Sequence, residues 1–345
     1  MKQDQLLIEV KGLKTYFFMD EGIVRALDGV DFNIWRGQTI GVVGESGCGK
    51  SVTARSILRI VPRPGRIIEG KITLHRQLGA NGGGQVEQLE LTALDPTGPV
   101  MRSIRGAEIA LVPQEPMASL SPVHTIGNQI MEAIMLHQKV GKEEARAKAI
   151  QMLDLAGFPK PKERIDSYPH QLSGGQRQRA VIAMGLSCPP SLLIADEPTT
   201  ALDVTTEAQI LRLMRSLQHE LGMAIMFITH NLGVVAQMCE DVVVMYMGRV
   251  VEEAPVDAIF HNPKHPYTQA LLRSIPRLGQ KTQERRQLES IRGAVPDPYS
   301  RPKGCAFHPR CSQRIRGVCD QESPPWVEVE PGHKARCVLY GESRK

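Results

Sequence analysis

The chain has 345 residues, of which 41% are apolar and 23% charged, enough for a real core and one large domain with an extension or a second domain. Its formal charge of +5 suits an anionic small ligand, and without any dense Lys/Arg tract it gives no reason to expect nucleic acid as a partner. Met1–Val10 lacks the apolar stretch of a secretory signal and no run approaches the ~20 residues needed to span a bilayer, so the expectation is a soluble chain in the cytoplasm that meets a membrane only through partners.

In chain order, residues 6–43 read as β-rich. Leu6–Val10 starts a strand, Val24–Ile34 alternates, and Thr39–Val43 is a continuous β-branched run of the kind buried on both faces. A glycine-rich turn follows, then a helical stretch from Ser51 to about Ile60, so the chain opens as a βαβ unit. Residues 76–100 are polar and contain Gly82-Gly83-Gly84, a loop or hairpin excursion. Ile109–Val112 is a buried strand, Ile126–Ala156 has a helical pattern, and another helix runs from near Gly175 to Leu186. Leu192–Ala195 and Ala224–Ile228 are buried strands flanking a helix over Thr206–Leu221. Val242–Tyr246 and Arg249–Glu253 form a closing hairpin. Beyond Glu253 prolines multiply, Lys281–Glu289 reads as a linker, and the tail gathers Cys305, Cys311, Cys319 and Cys337.

Three motifs carry chemistry. Gly44-Glu45-Ser46-Gly47-Cys48-Gly49-Lys50-Ser51 matches the phosphate-binding loop between a buried strand and a helix. Its glycines let backbone N–H groups turn inward onto phosphate oxygens, Lys50 reaches the β- and γ-phosphates, and Ser51 ligates Mg²⁺. Leu192–Glu197 is an apolar strand ending in two acids. Asp196 is placed to hold Mg²⁺ directly or through water, and Glu197 to polarise an attacking water. Leu172-Ser173-Gly174-Gly175-Gln176 forms a second anion nest at a helix N-terminus. A chain holding one nucleotide has no need of two γ-phosphate cradles, so this nest is expected to serve a nucleotide held by another subunit.

The phosphate loop, the Leu172–Gln176 signature and the Leu192–Glu197 strand, in that order, resemble the ATP-binding-cassette family. Ala201-Leu202-Asp203 resembles its D-loop, with Asp203 the acidic member. Gln114 resembles its Q-loop glutamine, a further Mg²⁺ donor, and His230 its switch histidine. Tyr16, with Phe17 as alternative, resembles the aromatic that stacks on adenine, and Val52 continues the nucleotide-binding segment. The catalytic set the resemblance implies is Glu197, His230, Lys50 and Gln114, acting on ATP and Mg²⁺.

Gln114–Pro122, His265–Leu272 and Gly304–Cys311 further resemble the ATPases of oligopeptide/dipeptide permeases. The implied fold is α/β: an ABC-type P-loop domain over 1–255, with RecA-like core, antiparallel β subdomain and helical signature subdomain at about 115–190, then a Cys-rich C-terminal extension over 256–345. The implied partners are a second ATPase subunit, commonly a paralogue, two transmembrane permease subunits and an extracellular binding protein. The implied place is the cytoplasmic face of the membrane. The implied cargo is peptide, with oligosaccharide or nickel as alternatives within the group. A soluble non-transport ATPase of the family is disfavoured, because the chain holds one cassette and no heptad run between the phosphate loop and the signature.

The tail spacing, C-x5-C-x7-C-x17-C, lacks paired C-x2-C knuckles. Four thiolates suit a [4Fe–4S] cluster or zinc, with His308 and His333 as alternate zinc ligands. The resemblance implies the iron–sulfur cluster.

Overall fold

A computed structural model describes residues 5–77, 85–200, 202–274 and 291–341. Strands β1 (Leu6–Met19) and β2 (Gly22–Trp35) form a long antiparallel hairpin closed at Met19 and Gly22. β3 (Thr39–Val43) is buried at every position and runs through the phosphate loop into α1 (Lys50–Ile57). β4 (Gly65–Gln77) returns beside β1, and β5 (Val86–Glu90) pairs with it from Gln77↔Val86 to Thr73↔Glu90. The excursion expected at 76–100 is therefore a hairpin followed by a 3₁₀ turn at Leu91–Ala93 and α2 (Pro99–Ile104). Gly82–Gly84 lie outside the described residues. These strands make a four-stranded antiparallel sheet in the order β2-β1-β4-β5.

After β6 (Ile109–Val112) the chain turns helical: α3 (Pro116–Ser119), α4 (Ile126–Gln138), α5 (Lys142–Leu155), α6 (Pro161–Arg164) and α7 (Gly174–Gly185). The single helical stretch expected over Ile126–Ala156 is two helices. Lys139 takes a left-handed φ of 53° that ends α4, and Gly141 caps the start of α5. The break lets α4 and α5 pack back on each other and on α7, burying Ile130, Ile134, Ala149, Leu153 and Val181.

β7 (Leu192–Asp196), α8 (Val204–Leu221), β8 (Ala224–Ile228), α9 (Leu232–Met238), β9 (Asp241–Tyr246) and β10 (Arg249–Pro255) complete the core. α10 (Val256–His261) and α11 (Pro266–Arg273) follow, and the tail closes with β11 (Val327–Glu330) and β12 (His333–Ala335). The second sheet is eight-stranded and mixed, in the order β11-β12-β10-β9-β3-β8-β7-β6. Its centre, β9-β3-β8-β7-β6, is parallel, and β3, β7 and β8 are buried throughout, as uninterrupted apolar runs require when helices cover both faces.

The tail hairpin extends this sheet rather than standing apart from it, with Glu252 opposite Ala335 and Glu253 opposite Lys334. Phe307 is 2% exposed, its ring 5.3 Å from those of both Tyr246 and Tyr267. The Lys281–Glu289 stretch read as a linker lies outside the described residues. Among the described residues no helix is long and apolar enough to cross a membrane.

Candidate active site

The carboxyl ends of the parallel strands converge, and each releases one chemical group there. β3 gives the phosphate loop, β7 gives Asp196 and Glu197, β8 gives Thr229 and His230, and β6 is followed by Gln114. They surround an open cavity of about 840 Å³ lined by Ser46, Gly47, Gly49, Lys50, Ser51, Val52, Gln114, Glu197 and His230.

The loop needs its glycines. Gly44 (φ 153°) and Gly49 (φ 107°) hold conformations that L side chains rarely adopt, and a Cβ would stand 2.3 Å from the Met245 carbonyl oxygen or 2.6 Å from that of Ala26. The loop wraps the Lys50 ammonium, whose Nζ donates to the carbonyls of Gly44 (2.8 Å) and Glu45 (3.1 Å). Ser51 Oγ donates to Asp196 Oδ1 at 3.0 Å, joining the two groups expected to hold Mg²⁺. Burial pushes the Asp196 carboxyl above its ordinary value; the Ser51 hydrogen bond opposes this and the Glu197 charge adds to it.

Glu197 is the most constrained side chain of the site. Its φ of 48° is left-handed, strain that a non-glycine residue holds only where the surroundings impose it. Its amide donates to the Ile228 carbonyl at 2.9 Å. Its carboxylate accepts from Gln114 Nε2 (3.0 Å) and Thr200 Oγ1 (3.1 Å), and His230 Nδ1 lies 3.2 Å away. Glu197 is 14% exposed and His230 63%, so a shielded carboxylate meets a solvent-exposed imidazole at the cavity wall. Such an arrangement can orient a water for in-line attack on a phosphoryl group.

Other expected residues fall elsewhere. Tyr16 does not line the cavity; its hydroxyl donates to Asp28 Oδ1 at 2.8 Å, and Asp28 also accepts from Arg249 and Arg301, each at 2.7 Å. Burial raises the Asp28 carboxyl, but these hydrogen bonds and cations outweigh it and hold it below its ordinary value. Phe17 does not line the cavity either, because its ring packs over Gly65. The wall at that end comes from Val24, Arg25 and Ala26 on one side and from Val295–Pro298 and Arg301 of the tail on the other. Sequence reading missed this tail segment and Thr200. A threonine three residues after Glu197 is a weak signal, and nothing local points 295–298 or Arg301 at this cavity. Gly44, Glu45 and Cys48 also stay off the cavity wall, Cys48 being buried behind the loop.

The Leu172–Gln176 segment does not reach this cavity. Ser173 and Gln176 form a reciprocal capping box on α7, and a Cβ at Gly175 would stand 2.9 Å from Thr206 Cγ2. Asp203 caps α8 through the amide and hydroxyl of Thr206, bonds that lower its carboxyl from the ordinary value. Ala201 lies outside the described residues.

In the tail, Cys305, Cys311, Cys319 and Cys337 line one small cavity with His265, Phe307 and His308. Burial raises the thiols of Cys305 and Cys311 and pushes that of Cys337 up to about 12, so a metal must displace protons to bind here. His333 does not join them; its Nε2 pairs with the buried Glu252 at 2.7 Å. Among the described residues no group of three or more His, Cys, Asp or Glu side chains is arranged to hold a metal ion.

The ABC transporter family matches residues 27–200, and the C-terminal region of oligopeptide/dipeptide transporters matches 251–319. The chain is 49% identical over 337 residues to the "Probable peptide ABC transporter ATP-binding protein y4tR" of Sinorhizobium fredii, covering 98% of this chain and 96% of that one. It is 45% identical to the oligopeptide transport ATP-binding protein AppD of Bacillus subtilis, covering 97% of each. Among solved structures it resembles the dimeric post-hydrolysis state of the ATP-binding cassette MJ0796 bound to ADP and Pi, with a TM-score of 0.61 at 27% identity, covering 72% of this chain and 98% of that one.

Proposed function

The chain belongs to the ABC transporter family of ATP-binding proteins, and on that premise we propose that it is the ATP-hydrolysing subunit of a peptide importer whose cassettes work as a head-to-tail pair. One observation carries the reading. Lys50, Ser51, Glu197, Gln114 and His230 meet around a single cavity, with Asp196 bonded to Ser51 just behind its wall, while the Ser173 nest stays outside it and is left to complete the site of a second cassette.

Lys50 and the loop amides grip the β- and γ-phosphates. Glu197, held by Gln114 and Thr200, orients the attacking water and takes up its proton. His230 contacts the γ-phosphate from the exposed side. Ser51 and Asp196, joined at 3.0 Å, supply hard oxygen donors suited to Mg²⁺, with Gln114 assigned as a further one, and the ion when bound would neutralise charge on the phosphate oxygens. Tyr16 supports the base end through Asp28 rather than by stacking. Glu197→Gln keeps the shape and removes the base; it should retain ATP binding and accumulate a closed pair while turnover falls about a hundredfold or more. Wild-type turnover in that variant would refute the role given to Glu197.

The domain division is 1–255 for the cassette, with its helical subdomain at about 115–190, and 256–345 for the extension. The partners are a second ATPase, here assigned as a paralogue, two permease subunits and an extracellular binding protein, with the cassette at the cytoplasmic face. Docking of a permease helix near Gln114–Pro122 is supported by Met117 in α3 and Val123 just after it, which are 45% and 73% exposed. The extension is assigned a [4Fe–4S] cluster on Cys305, Cys311, Cys319 and Cys337. Convergence of four thiols on one small cavity supports it, while among the described residues no group of three or more such side chains is arranged to hold a metal ion.

A further inference from the structure

Glu45, the second residue of the phosphate loop, is held from outside the cassette. Its carboxylate accepts a two-pronged bond from Arg310, with Nη1 to Oε2 at 2.7 Å and Nη2 to Oε1 at 3.0 Å. Its amide donates to the hydroxyl of Tyr267 at 2.9 Å, and its carbonyl accepts from Lys50. The Arg310 side chain is only 5% exposed; Nη1 also lies 3.4 Å from the Tyr246 hydroxyl, and Nε bonds the Arg292 carbonyl at 3.2 Å. Its guanidinium stands 6.0 Å from the ring centres of Tyr246 and Phe307, so packing as well as charge fixes it. Nothing in the phosphate-loop chemistry uses a carboxylate at position 45. An unpaired one beside a polyanionic triphosphate is a repulsive charge, and it flanks Ser46, which lines the cavity.

We propose that Arg310 is a positioning residue of the ATPase: its planar fork neutralises Glu45 and turns it away from the nucleotide, so that the C-terminal extension sets the affinity of the phosphate loop. This rests on the nucleotide reading of the loop and adds to it a residue that the loop motif does not contain. Arginine suits the role because a fork-to-carboxylate pair fixes orientation as well as charge, which a lysine point charge does not. The position is unusual in sequence terms, because Arg310 lies 265 residues from its partner.

The test is equilibrium titration of the purified full-length chain with mant-ATP and Mg²⁺. Arg310→Met keeps the stem and removes the fork, and should weaken binding about tenfold, the order expected for one uncompensated charge near the phosphates. Adding Glu45→Gln to it should bring affinity back to within about threefold of wild type, a rescue that lost packing alone cannot produce. Arg314→Met, which breaks the Arg314–Asp320 pair elsewhere in the tail, should leave affinity unchanged. Unchanged affinity in Arg310→Met, or a loss that Glu45→Gln fails to relieve, overturns the proposal. If Arg310→Met does not fold, Arg310→Lys takes its place, with about threefold weakening relieved by Glu45→Gln expected and an unrelieved or absent loss decisive against it. Failure of the wild-type chain to bind mant-ATP would strike the nucleotide reading instead, so the two failures are distinguishable.

Discussion

Tyr267→Phe removes one oxygen from the centre of the molecule and leaves its shape intact. Tyr267 is fully buried and packs between Tyr246 (4.7 Å, tilted) and Phe307 (5.3 Å, edge-on), so phenylalanine fits the same space. The hydroxyl accepts the amide hydrogen of Glu45 at 2.9 Å, and burial raises its pKa far enough that it stays neutral. Without it a phosphate-loop N–H loses its partner, which costs about 1–3 kcal/mol, while packing is conserved. At a urea slope of about 3 kcal/mol/M the unfolding midpoint falls by about 0.3–1 M. The loop's entry strand is also less firmly held, so Mg²⁺-ATP affinity falls about three- to tenfold, equivalent to about 0.7–1.4 kcal/mol. Tyr246→Phe is the internal comparison. Its hydroxyl meets Arg310 only at 3.4 Å, and the expected loss is about 0.5 kcal/mol or less. Chemical denaturation and nucleotide titration on the two variants decide the matter. A Tyr267→Phe protein as stable as wild type, or one less affected than Tyr246→Phe, would refute the claim that α11 anchors the phosphate loop.

Removing the Asp196 charge should have opposite effects on the stability of the nucleotide-free chain and on its Mg²⁺-dependent affinity for ATP. Its folded pKa is raised above the unfolded value near 3.9, so it stabilises the nucleotide-free chain most at low pH and loses that contribution as pH rises through the folded pKa. Asp196→Asn should therefore raise the thermal midpoint of the nucleotide-free chain at neutral pH yet abolish the Mg²⁺-dependent gain in ATP affinity; a lower midpoint with Mg²⁺ dependence intact would contradict this. Ser173→Arg fills the anion nest without touching the chain's own cavity. It should bind ATP like wild type but fail to form the ATP-dependent pair with its partner cassette in analytical ultracentrifugation, and normal pairing would count against the shared site. Anaerobically purified chain should absorb in the visible thiolate-to-iron region, with the band lost in Cys311→Ser; a colourless, iron-free protein would remove the cluster assignment.

Local chemistry explains how much was legible beforehand. The phosphate loop, the acidic strand end and the serine-glycine helix cap are short, contiguous segments whose function depends on backbone turns and charges a few residues apart. The buried strands β3, β7 and β8 were equally plain, because parallel strands covered on both faces must be apolar at every position. The α4–α5 break was not, since Lys139 takes a left-handed conformation that lysine's type does not announce. That Tyr16 stays off the cavity wall was not legible for a related reason. Its hydroxyl is taken by Asp28, which is held in turn by Arg249 and Arg301, 221 and 273 residues away.

By itself, then, the order of residues determined the phosphoryl-transfer chemistry and the architecture that carries it, because each motif is closed within one strand–turn–helix. Only the tertiary structure decided that the tail hairpin extends the core sheet, that Val295–Pro298 and Arg301 wall one end of the cavity and that Arg310 grips Glu45. Those contacts join segments far apart in sequence, where neither periodicity nor spacing records which side chains meet. Burial and charge compensation choose the partners only once the sheet has brought them together.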